Sequence, residues 1–253
     1  MRKKLSSNTI IKTTLSKTTA QPLLSLNMKN INQLFPGFIA GDFALIRGSA
    51  AVHTLATLLC IRAQLPPQLG GLGTDVIFID GANTFRLYQT TRLARLHRLD
   101  PKQVLDRIHI SRAFTAYQMT TLIMQKLEDA LKTINAKLAI ISDIAAMFLD
   151  KDVQDEETKR IYSQVVNRLA NISKKHQIIV VATYPPHMDS QRNIYLQALT
   201  SGRANVILEL RQTKYEREVI LEKHPILTLG SAELPTEILP LTAFMEAQNG
   251  QNS

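Results

Sequence analysis

Four short stretches of this 253-residue chain carry side chains that could do chemistry, and each follows an apolar run. In Asp75–Arg86 (DVIFIDGANTFR) the run Val76–Ile79 empties into Asp80, Gly81, Ala82, Asn83 and Thr84. Lys137–Asp143 (KLAIISD) ends on a second Asp, and Gln177–His187 (QIIVVATYPPH) ends in a loop carrying a histidine. Apolar runs of this length read as buried parallel strands. Ligands of open α/β sheets gather beyond the ends of such strands, so the three loops imply one common site.

The fourth stretch is Gly48-Ser49-Ala50-Ala51-Val52-His53-Thr54, between the strand Asp42–Arg47 (DFALIR) and an apolar helix reaching about Gln64. Strand, glycine and helix in this order are the layout of a phosphate-binding loop. A working loop, GxxxxGK[ST], uses its glycines to bring backbone N–H groups onto the phosphates, a Lys for their charge and a hydroxyl for magnesium. This one has a single glycine, no Lys, and Val-His-Thr where the Lys and hydroxyl belong.

These loops need elements to hold them. Pro66-Pro67 and Gly70-Gly71 punctuate the chain before the Asp75 strand. Leu87–Leu99 reads as a helix with Arg92, Arg95 and Arg98 along one side, a solvated face rather than a nucleic-acid contact. Asp100-Pro101 caps a short helix, the strand Arg107–Ser111 follows, and a long helix spans about Thr115–Asn135 with Met119, Leu122, Ile123, Leu127 and Leu131 inward. Tyr215–His224 should pair with Ala204–Arg211 as an antiparallel hairpin around Gln212-Thr213-Lys214. The fold class is therefore α/β: a mostly parallel sheet between helices, closed by a C-terminal antiparallel hairpin.

Composition narrows the function. Hydrophobic residues make up 45% of the chain, enough for one substantial core. No apolar run approaches the roughly 18 residues of a membrane span, so a soluble, cytoplasmic protein is expected. Cys60 has no partner for a disulfide and sits in a helical apolar pattern, as a core residue does. The six histidines lack metal-ligand spacing, so no structural metal is expected. Of the net charge of +9, residues 1–41 contribute +6 through Arg2, Lys3, Lys4, Lys12, Lys17 and Lys29, with no acid among them. Residues 1–23 read as a basic arm able to touch DNA, dock on a partner or stay solvated; 24–247 read as the core and 248–253 as a disordered tail.

The run LPPQLGGLGTDVIFIDGANTFR, followed by LDPKQVLDRIHISRAF, resembles the ATPase core of the RecA/RadA recombinase superfamily, nearest in its motifs to archaeal RadA and its paralogues. The likeness continues through KLAIISDIAAMF, QIIVVATYPP and SGRANVILELR and covers roughly residues 24–235. It implies a RecA-like P-loop core and a role in DNA recombination and repair. It also shows where this chain departs. The family's phosphate-binding Lys falls on Val52 and its magnesium-binding Ser/Thr on His53. The water-activating Glu falls on Ala82, the magnesium-associated Asp on Ser142 with Asp143 one place later, and the Gln after the next strand on Pro185.

Phosphoryl transfer rests on positioned charge, and removing one such partner costs on the order of 3 kcal/mol. Losing these roles together implies a pseudo-ATPase, with no catalytic residue and no cofactor. The expected partner is a RecA/RadA-type recombinase or a second copy of the chain. The alternative keeps ATP and magnesium on an unorthodox loop built from Gly48, Ser49, His53 and Thr54, with Asp80 or Asp143 on the metal; a weaker one is a regulatory scaffold unrelated to DNA. The family's first DNA loop corresponds to the acid-rich Leu149–Arg160, unsuited to phosphates. Its second, Pro186–Arg203, offers Arg192 and Arg203, so DNA contact is expected mainly from the basic arm.

Overall fold

The computed structural model describes residues 22–150, 153–212 and 217–234. A two-stranded antiparallel ribbon opens the chain: β1 (Leu23–Leu24) pairs with β2 (Phe38–Ile39) across the short helix α1 (Lys29–Leu34). Leu23, expected inside the N-terminal arm, thus already belongs to ordered structure.

The sheet begins with β3 (Phe43–Gly48), which runs into α2 (Val52–Gln64). β4 (Asp75–Asp80), α3 (Leu87–Leu96), α4 (Pro101–Asp106) and β5 (Ile108–Arg112) follow. A helical stretch then runs as α5 (Ala116–Thr121), one π turn (Leu122–Lys126) and α6 (Leu127–Thr133). After it come β6 (Ala136–Ser142), α7 (Asp155–His176), β7 (Ile179–Tyr184), α8 (Gln191–Arg203), β8 (Val206–Gln212), β9 (Arg217–Lys223) and β10 (Gly230–Glu233). The strand order is β10-β9-β8-β3-β7-β6-β4-β5, parallel from β5 to β8 and antiparallel at β8–β9 and β9–β10.

The near-continuous apolar runs arise because both faces of the sheet are covered. Alternate residues of one strand therefore feed two cores. Ala44, Ile46, Val76, Phe78, Leu138 and Ile140 pack with α1 to α4 on one side. Phe43, Leu45, Ile77, Ile79, Ala139 and Ile141 pack with α5 to α8 on the other. Helix α2 is buried almost all round, including Arg62, whose guanidinium donates to the carbonyls of Ser25 and Leu69.

The expected elements are present with shifted ends. Helix α3 stops at Leu96, three residues short of expectation, because Arg98 takes a left-handed φ of 57° and turns the chain toward Asp100. Asp100 caps α4 as its sequence suggested, accepting from Lys102 N at 2.9 Å. The long helix ends at Thr133, and Leu122 and Leu131 are only half-buried whereas Met119, Ile123 and Leu127 are fully enclosed. The hairpin forms with Gln212 opposite Arg217, its turn lying outside the described residues. Strand β10 was not expected: Gly-Ser-Ala-Glu has no apolar alternation, and its backbone pairing to β9 places it.

Candidate functional site

The loops after β3, β4, β6 and β7 meet at one edge of the sheet, as the common-site reading required, since these parallel strands are neighbours in the order β3-β7-β6-β4. Gly48 is fixed by its surroundings: its φ is 102°, and a Cβ there would stand 2.3 Å from the Leu210 carbonyl oxygen of β8. That close approach lets Ser49 N donate to Leu210 O at 2.8 Å. Ala51 N points at Ser49 Oγ (3.4 Å), Val52 N donates to Ser49 O (3.1 Å) and His53 N to Ala50 O (3.3 Å). The backbone donors of Ser49, Val52 and His53 are thus spent on carbonyls of the protein itself. Val52 is fully buried, and Thr54 Oγ1 accepts from Gln89 Nε2.

Asp80 is completely buried and closes its own loop. Its Oδ1 accepts from Thr84 N at 2.8 Å and Thr84 Oγ1 at 3.1 Å, and its Oδ2 from Phe85 N at 3.2 Å, with Arg112 Nε 3.7 Å away. Gly81 is forced by the same packing, because a Cβ would sit 2.4 Å from Met119 Cε and 2.9 Å from Ser142 O. Ser142 Oγ lies 2.5 Å from Thr84 Oγ1, so that hydroxyl is also engaged. Ala82 offers no acceptor beside them.

Asp143 adopts a φ of 49°, its N–H held by Thr183 Oγ1 at 2.8 Å. Its Oδ1 accepts from His187 Nε2 at 2.8 Å, and the His187 ring stands edge-on to Tyr184. His187, which as a lone loop histidine reads as merely solvated, therefore ties the β7 loop to the β6 loop. His53 faces the same group: burial lowers its pKa from the ordinary imidazole value while the Asp143 and Asp80 charges oppose the shift. Its Nδ1 is buried without a hydrogen-bond partner among the described residues. A cavity of about 260 Å³ adjoins His187 and Tyr184, but its one arginine, Arg47, is already held by Glu222 at 2.6 Å and Glu209 at 3.2 Å.

The expected site residues Gly48, Ser49, His53, Thr54, Asp80 and Asp143 are thus brought to one edge, with most of their polar atoms used internally. Among the described residues no three His, Cys, Asp or Glu side chains form a group that could hold a metal ion. Val52 supplies no cation to this edge, and the Asp80 carboxylate accepts from its own loop.

The candidate nucleic-acid residues fare differently from one another. Arg192 is not available as a phosphate contact: it donates to Asp155 Oδ1 (2.6 Å), Val153 O (2.8 Å) and Asp150 O, pinning the chain before α7. The stretch expected as a second loop is mostly helix α8, started by Ser190, whose side chain accepts from Asn193 N. Arg203 stays exposed in its last turn. Much of the acid-rich stretch is the first turn of α7, where Asp155, Glu156 and Glu157 suit the helix dipole. Arg2, Lys3, Lys4, Lys12 and Lys17 lie outside the described residues.

A mostly parallel sheet between two helical layers, with its loops converging at the strand ends and an antiparallel hairpin at one side, defines a RecA-like α/β core. The Rad51 family model matches residues 15–197, well over half of the chain. The chain belongs to the Rad51 family, within the RecA/RadA superfamily of recombination and repair proteins. Among the described residues no helix is long and apolar enough to cross a membrane.

Proposed function

We propose that this chain is a non-catalytic Rad51-family paralogue, an accessory protein of recombination and repair that acts through a partner recombinase or a second copy of itself. The observation that carries this reading is the internal closure of the phosphate edge. The loop N–H groups of Ser49, Val52 and His53 are bonded within the fold, and the Asp80 carboxylate accepts from its own loop. An ATPase of this type needs those donors and carboxylates turned outward to phosphate and metal.

Equilibrium titration of the full chain with a fluorescent ATP analogue, with and without magnesium, tests the reading. No saturation up to millimolar nucleotide is expected. Micromolar, magnesium-dependent binding abolished by Asp143→Asn would establish instead a nucleotide-binding member working through an unorthodox loop.

A further inference from the structure

The sheet ends at β10, and β10 leaves that edge open. Its inner side is fixed: Gly230 to Glu233 stand opposite Leu221 to Glu218 of β9, and Leu234 N donates to Arg217 O at 2.7 Å. Bonded and non-bonded pairs alternate along an antiparallel ladder, so, counting back from the Leu234–Arg217 bond, Ala232 and Gly230 turn their backbone groups toward β9. Ser231 and Glu233 turn theirs outward. Among the described residues no strand lies beyond β10, and Gly230, Ser231 and Glu233 are exposed.

Such an edge invites another strand. Proteins blunt exposed edges with proline, lysine or a bulge, and Gly-Ser-Ala-Glu has an unbroken register, no proline and no lysine. Apolar surface gathers beside it: Leu229, immediately before the strand, is 54% exposed and Ile226 85%. The loop that carries them is pinned by His224, whose Nδ1 accepts from Ile226 N at 3.1 Å and Leu227 N at 2.9 Å. By alternation Leu229 shares a face with Ser231 and Glu233.

We propose that residues 238–241 of this same chain add to β10 as an antiparallel strand and close the sheet edge. The chain past Leu234 reads Pro235-Thr236-Glu237-Ile238-Leu239-Pro240-Leu241, with Phe244 and Met245 following. Three features select that occupant. The segment starts at the edge itself: Leu234 is 5% exposed and bonded to β9, so the strand meets β10 at an effective concentration on the order of millimolar. A connection through Pro235-Thr236-Glu237 sets Leu239 opposite Glu233 and Leu241 opposite Ser231, where their N–H and C=O groups meet the two outward pairs. The same register places Pro240 opposite Ala232 with its ring nitrogen toward solvent, the setting in which an edge strand accepts proline, and the new edge is blunted. Ile238 then shares the face of the buried Leu234, and Leu241 falls diagonally across from Leu229. Phe244 and Met245 continue toward Ile226. The inference stands whether or not the phosphate edge takes nucleotide.

Residue-resolved hydrogen exchange of the full chain, followed by NMR at low and at high protein concentration, tests this. The Ser231 and Glu233 amides should exchange about a hundredfold or more slowly than unpaired amides at both concentrations. Leu241→Pro removes the donor to Ser231 O and should bring both amides to within about fivefold of the unpaired rate, whereas Pro240→Ala should leave them protected. Ala232, bonded to β9, should keep its protection in both variants and so report an intact sheet. The proposal is overturned if Ser231 and Glu233 exchange at the unpaired rate in the parent chain, or if Leu241→Pro leaves their protection unchanged. Protection that appears only at the higher concentration would put a second copy on this edge and equally overturn it.

Discussion

At Asp80 a carboxylate in a catalytic-looking position does structural work. It has no exposure to solvent and accepts from two backbone amides and a hydroxyl of its own loop. Removing it strands Thr84 N and Phe85 N in a buried setting, each worth about 1–3 kcal/mol. Asp80→Ala should therefore lower unfolding free energy by about 3 kcal/mol in urea titrations; a change below 1 kcal/mol would show that the loop does not depend on it. Asp143 is the complementary case. Its left-handed backbone is one that Asn also tolerates, so Asp143→Asn removes a charge without straining the turn.

At the scale of elements, the junction of α3 and α4 is expected to weaken in acid. His97 closes α3, buried, with Nδ1 2.9 Å from the Leu93 carbonyl; burial pushes its pKa down to about 4. A histidine whose folded value lies below its unfolded one stabilises the fold fully above about 6.5 and loses that contribution as pH falls toward 4. At this depth the shift is worth on the order of 3 kcal/mol. Urea midpoints should fall between pH 6.5 and 4, and His97→Gln should flatten that slope; an unaltered slope would refute the assignment.

How much of this could be read from residues alone differs by element. Strands β3, β4, β6 and β7 were legible because burial on both faces writes continuous apolar runs, and Asp100-Pro101 announced its helix through cap chemistry. The edge that gathers Gly48, Asp80 and Asp143 followed from those strands. Their partners did not. His187 meets Asp143 across 44 residues, and Arg192 reaches Val153 across 39, distances at which no local pattern operates.

For the whole molecule, the segment ahead of the sheet is bound to the central helix by apolar packing and by one buried cation. Arg62, 2% exposed on α2, donates to Ser25 O and Leu69 O, and burial lowers its pKa to about 10. Ser25 N in turn donates to Gly70 O at 3.0 Å. Arg62→Met would leave those carbonyls without donors, so hydrogen exchange at residues 22–42 should accelerate selectively in that variant. In the parent chain those amides should exchange only with global opening; early exchange there would contradict it.

The same bonds bear on how this chain tolerates ionic conditions. Arg62 is neutralised by carbonyl dipoles in place of a surface carboxylate, and mobile ions cannot reach it to screen the attraction. High salt should leave the clasp between the leading segment and the central helix untouched, so brine washes can clean the protein without loosening it.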